Sequence, residues 1–175
     1  MQAGAEAESG SSMDMVLVLG VVTGMRCMTA IAALSWAVWL GLIPESGWAT
    51  WMAHLLVAVI FTACALGEYV VDTLPQTPNR TAFGPAMARV IVGSLVGAMA
   101  AKAINEPVAG GIIFGGVGAL IGTWGGFFVR NTVARIFRRD LPAALLESAS
   151  ALALAILAIV KMHHGIIAEL KKAMS

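Results

Sequence analysis

Three arginines and three carboxylates stand where an apolar chain has least room for charge: Arg26, Arg89 and Arg130, and Glu68, Asp72 and Glu147. Arg26 is the only charged side chain between Met15 and Ile43. Glu68 closes a run from Trp48 to Gly67 without Asp, Glu, Lys or Arg, and Arg130 follows a second such run from Val108 to Val129. Inside a membrane such groups pair helices, bind an ion or small polar solute, or exchange a proton at a carboxylate. Setting one against lipid costs ~2.5–3.5 kcal/mol on insertion scales, so all six are expected to face inward. Glu68, with Tyr69 beside it, is the first candidate for a proton-coupled or cation-binding group. Arg26 is its candidate counter-ion or anion partner, and the two are expected to face each other across the first two spans. Asp72 lies one helical turn beyond Glu68 on the same face. Arg80, in the loop that follows, is placed to reach a phosphate or carboxylate.

The elements that must position these groups are membrane helices. Apolar runs of this length match the ~20 residues that cross a ~30 Å hydrocarbon core. The chain is 59% hydrophobic and 12% charged, against ~25% charged in soluble domains. The net charge of +1 points away from a nucleic-acid partner. The expected fold is an all-α, polytopic transmembrane helical bundle of about five spans. Its first span, from about Met13 to Leu42, is longer than a bilayer needs and is expected to tilt, kink or be interrupted near Thr23-Gly24 beside Arg26; read as a re-entrant pair, it would change the count. Span two runs from Trp48 to about Leu74, span three from Pro85 to near Lys102, span four from Val108 to Val129 and span five from Asp140 to near Lys161. Residues 1–12 read as a flexible tail, 13–161 as the membrane domain and 162–175 as an amphipathic or flexible tail. Five crossings would gather the charges in the half of the bundle nearest the amino terminus. The arginine-rich loops make that side cytoplasmic, in a bacterial inner membrane.

Span four carries Gly118, Gly122 and Gly126 at a spacing of four, a glycine zipper face that lets another helix approach closely. Within one subunit this is tight packing; between subunits it is a homodimer contact. Cys27 and Cys64 fall within apolar runs and read as small buried thiols. His163-His164 has no third ligand at metal spacing. No phosphate loop, nucleophile elbow or zinc-protease motif occurs, so neither an enzyme, a metal nor a cofactor is expected.

Gly24-Met25-Arg26 with Thr29-Ala30, and Gly67-Glu68-xxx-Asp72-x-Leu74-Pro75-x-Thr77-Pro78-x-Arg80-Thr81, resemble a bacterial membrane-protein family catalogued as domain of unknown function 4126. The glycine-rich fourth span and Leu145-Leu146-Glu147 extend the likeness, and Thr73 stands where relatives often carry Lys. The resemblance implies a small helical membrane protein with Arg26, Glu68, Asp72, Pro75, Arg80 and Glu147 as motif positions, and it implies no reaction. The functional expectation is a small transporter or channel-like protein for an ion or small polar solute, with its charged pocket near one membrane face. The alternative is a membrane scaffold or accessory subunit whose charges only pair helices.

Overall fold

The computed structural model describes residues 2–45, 47–71, 82–137 and 140–175, with side chains from Met13 onward except those of 137–141. These residues form helices and their connections: α1 (Gln2–Met25), α2 (Cys27–Trp39), a 3-10 helix (Gly47–Ala53), α3 (Leu55–Val71), α4 (Phe83–Ala103), α5 (Val108–Phe137) and α6 (Asp140–Met174). Three of them, at Phe83–Ala103, Val108–Ile136 and Pro142–Met174, are long and apolar enough to cross a membrane. The 3-10 helix and α3, bent by 75°, make a fourth candidate if taken together. The apolar helices mark a membrane protein.

The first apolar run does break beside Gly24, but it is not one crossing. Arg26 is extended (φ −140°, ψ 101°) and separates two short apolar helices, Met13–Met25 and Cys27–Trp39. Along α1, Met13 lies against Gly110, Gly20 against Gly115 and Gly24 against Gly122, so α1 and α5 run in the same direction. Gly97 lies against Gly111 and Gly93 against Gly115, so α4 runs opposite to both. Beyond Arg26, Leu34 and Val38 of α2 line a cavity with Met99 and Ala103 of α4. The chain has therefore turned back, and α2 returns toward the α4–α5 turn. We call that the turn end and the opposite one the charged end. The reversal corrects the expected topology. The charges lie at the far end of α1, away from where the amino terminus enters. The helix α6 also finishes toward the turn end, where the His163 Nδ1 sits 2.6 Å from the Leu42 carbonyl oxygen.

The helix stops are written locally. Gly41 (φ 72°) and Asn105 (φ 58°) adopt the left-handed conformation. After each, the next amide donates back into the last turn, Leu42 to the Ala37 carbonyl and Glu106 to the Ala101 carbonyl, both at 2.9 Å. Glycine, and less often asparagine, favours this helix ending. Elsewhere helices run past their expected ends. Ala3, Ala5, Glu6, Ala7 and Glu8 are good helix formers, and α1 begins at Gln2, within the expected tail. With no proline between Val129 and Phe137, α5 continues to Phe137, and α6 reaches Met174.

The core joins Val16, Leu19 and Val22 of α1 to Leu34 of α2, Val96 and Met99 of α4, and Ala151, Ala155, Ile159 and Met162 of α6. In contrast, α3 is peripheral. Its buried side chains are Ala58 and Ala65. Cys64 is exposed on α3, which corrects its reading as a buried thiol, whereas Cys27 is half-buried.

Candidate functional site

A helix interrupted inside a bundle leaves orphan amides on one side of the break and orphan carbonyls on the other. In hydrocarbon these must find partners within the protein. The break at Arg26 is supplied by side chains from three other helices. The Arg26 amide itself still donates to the Val22 carbonyl at 2.7 Å, closing α1. Arg89 of α4 donates from Nη1 to the Gly24 carbonyl at 2.8 Å and, more weakly, to that of Met25 at 3.4 Å. The Thr123 hydroxyl of α5, which donates to Ala119 within its own helix at 2.7 Å, stands 3.4 Å from the same Gly24 oxygen. On the other side, the Cys27 and Met28 amides donate to Oε1 and Oε2 of Glu68 at 2.8 and 2.9 Å. A guanidinium thus meets the negative end of α1 and a carboxylate meets the positive end of α2, the favourable sense at both termini. The two side chains are themselves paired, with Arg89 Nη2 3.6 Å from Glu68 Oε1.

Arg26 points elsewhere. Its Nη2 donates to the Ala144 carbonyl of α6 at 3.3 Å and lies 4.0 Å from Glu147 Oε2. Its guanidinium carbon is 5.0 Å from the centre of the Tyr69 ring, a cation–π distance. Glu147 is shared, because Arg130 Nη1 of α5 approaches the same oxygen at 3.7 Å. The expected Arg26–Glu68 pairing is thereby corrected: Glu68 is engaged by Arg89 and the start of α2, and Arg26 by Glu147. Tyr69 ties the two groups together, since its hydroxyl shares a hydrogen bond with Thr29 of α2 at 2.9 Å.

Five of the seven sequence-derived charges, Arg26, Glu68, Arg89, Arg130 and Glu147, converge at the charged end. Asp72 and Arg80 lie outside the described residues. The cluster is well covered, with side-chain exposure of 1% for Arg26, 4% for Glu147, 9% for Arg89, 12% for Arg130 and 14% for Glu68. A cavity of about 10 Å³, room for a single water, lies at the turn end between Leu34, Ile43, Met52 and Met99 rather than beside the charges. The glycines sort by neighbour. A Cβ on Gly118 or Gly122 would strike the backbone of α1, and one on Gly126 would crowd Met25 and Glu147.

No protein-family model, curated protein or solved structure matches this chain. Residues outside the sequence-derived set also belong to the site. Thr123, buried in α5, was legible only as a hydroxyl within an apolar run. Thr29 lay within the motif but carried no role. Trp36, whose Nε1 donates to the Thr62 hydroxyl at 2.8 Å, left no signal that would link it to α3.

Proposed function

We propose that this chain is a small membrane transporter or channel-like protein for an ion or small polar solute, and that the helix break at Arg26 is its site. The carrying observation is the reversal of the chain inside the bundle, which brings the carbonyl end of α1 and the amide end of α2 to one point. Interrupted helices of this kind are tolerated in membranes where they are enclosed by protein or line a polar path, and transporters use their ends to hold ions. A bundle that only had to pair charges could do so on unbroken helices. In this reading the glycines of α5 act as a zipper that holds α1 rigid behind the break. The basic residues near the charged end, Arg130 and Arg135, favour that end as the cytoplasmic face of a bacterial inner membrane. Kinship with the family known as domain of unknown function 4126 belongs to the same proposal and rests on the motif around Arg26 and Glu68.

A second reading, the scaffold or accessory subunit, draws on one observation: the ion pairs are nearly closed to solvent. A homodimer is compatible with either reading. The deciding experiment is flux of protons and of small inorganic ions into liposomes containing the purified protein. Transport predicts flux that falls when Arg26 is replaced by Met. A folded protein that leaves every gradient intact would leave the scaffold reading standing.

A further inference from the structure

We propose that the 3-10 helix is an interfacial anchor. It lies in the headgroup region of the leaflet at the turn end, and the α1–α2 hairpin enters and leaves the membrane through that one leaflet. The partner is the lipid boundary itself, where acyl chains meet glycerol and phosphate. The inference stands apart from the transport reading and holds for a transporter and a scaffold alike.

A period of three shapes the anchor. A 3-10 turn takes three residues, so side chains at i and i+3 stand in line. Across Gly47–Ala53 this makes distinct rows. Ala49 and Met52 form a buried row. They line the small cavity with Leu34 and Val38 of α2 and Met99 and Ala103 of α4. Trp48 and Trp51 form a second row, with 50% and 37% of their surface exposed. Thr50, exposed, and Ala53, half-buried, form the third. One row fixes the element to the bundle, and the indole row is presented outward. At the end of α2, the exposed Trp39 and Leu40 follow directly on Val38 of the same cavity, so a third indole stands at this level.

Neither water nor hydrocarbon suits this surface. Trp39, Leu40, Trp48, Trp51 and Leu55 are large apolar side chains exposed at one end of the molecule. Exposed apolar surface of that kind calls for a partner. Yet Glu45, Thr50 and His54 among them are exposed as well, and ionisable groups set against acyl chains are costly. At His54 the chain bends by 75°, and the His54 amide reaches the Trp51 carbonyl only at 3.5 Å. A loosened turn is tolerated where water completes it and not where lipid surrounds it. The lipid boundary meets both demands. Indole rings rest among the first acyl carbons with the N–H toward ester and phosphate oxygens, and the polar side chains stay wet. The bend also sets the 3-10 helix near the membrane plane when α3 crosses it.

The anchor fixes the depth of the break. Since α2 has 13 residues, Arg26 lies ~20 Å from the Trp39 level at ~1.5 Å per residue. That is about two-thirds of the way through a ~30 Å core. Both α1 and α2 then dip in from the turn end and stop short of the far leaflet. Among the described helices, α3, α4, α5 and α6 make the crossings.

The test is depth-dependent quenching of tryptophan emission from the full chain in phosphatidylcholine vesicles. The lipid carries bromine either near the top of the acyl chain or at its end, and iodide serves as the aqueous quencher. Trp48→Phe combined with Trp51→Phe changes two exposed side chains, and the emission lost relative to the wild type is that of the anchor. Bromine near the top of the chain is expected to quench this difference about twofold more than bromine at the chain end. Stronger quenching from the chain end would place the 3-10 helix inside a broken span. Full quenching by iodide with none by bromine would place it in water. Either result overturns the anchor. Should the double variant misfold, a spin label on Thr50→Cys, with Cys27→Ser and Cys64→Ser, answers the same question. Its collisions with oxygen relative to a water-soluble nickel chelate are expected to match a label at glycerol depth. A ratio typical of mid-bilayer or of bulk water would contradict the proposal. The hairpin is tested by Glu45→Cys in the same background. It is expected to react with a membrane-impermeant thiol reagent from the face that labels Ala168→Cys. Reaction from the opposite face would mean that α1 and α2 cross the membrane rather than return.

Discussion

The α1–α4–α5 unit and the α2–α3 arm lie side by side and are held by opposite means. In the first, backbones meet directly at Gly20, Gly24, Gly93, Gly97, Gly111, Gly115, Gly118 and Gly122. In the second, α3 buries two alanines, packs the half-buried Phe61 against the core, and is joined to α2 by hydrogen bonds at Thr62 and Tyr69. Close backbone packing is dense and tolerates no added atom; a few hydrogen bonds fix position without filling space. The difference gives one part of the molecule close backbone packing and the other hydrogen bonds between side chains. The charges at Arg26 sit on the seam between them.

Breaking the rigid unit should have the largest effect. Gly122→Leu would drive a side chain into the Val21 carbonyl and the Gly24 backbone. We expect a loss above ~4 kcal/mol, enough to unfold a marginal protein, seen as aggregation on size-exclusion chromatography in detergent. Gly125, on the same helix, has nothing within 4 Å, and Gly125→Leu should elute as the wild type does. If the two variants behave alike, glycine packing is not what holds α1 to α5.

Removing one charge at the seam should come next. Arg89→Ala strips donors from the Gly24 and Met25 carbonyls and the ion pair from Glu68. A buried pair broken on one side costs about 3–5 kcal/mol, read as a lowered midpoint in thermal unfolding. Arg89→Met should be no better, because it too leaves the carbonyls without a donor. Wild-type stability in either would mean that neither the carbonyl bonds nor the ion pair of Arg89 holds the break.

The smallest effect belongs to the arm. Trp36→Phe removes the bond to Thr62, and Thr62 keeps its own bond to the Ala58 carbonyl at 2.7 Å. A loss of about 1 kcal/mol is expected, with faster hydrogen exchange confined to α3. Exchange that rises equally in α4 and α5 would show that the arm is no separate unit.

The contrast also explains what could be read from the chain. The all-α fold, the glycine spacing of α5 and the break beside Gly24 follow from local composition and were legible. The reversal was left open, a re-entrant first run standing beside a single crossing, because a kink and a turn-back differ in the φ and ψ of Arg26. The expected Arg26–Glu68 pairing failed because three arginines and three carboxylates admit several matchings, and only the topology chooses among them. Placing the cluster on the side of the amino terminus failed for the same reason, since depth along the chain was counted without the reversal. Cys64 was misread because an apolar run gives depth in the membrane but not which face of the helix meets lipid.

The central claim is that the break at Arg26 is reached by water from the charged end, opposite the face where the amino terminus enters. Cys27 stands at the break and is a native reporter. In a Cys64→Ser protein oriented in vesicles, a membrane-impermeant thiol reagent is predicted to modify Cys27 from the face that also labels an Arg135→Cys control, and not from the face that labels Ala168→Cys. Modification from the Ala168 face, or none while the Arg135→Cys control reacts fully, would contradict the account.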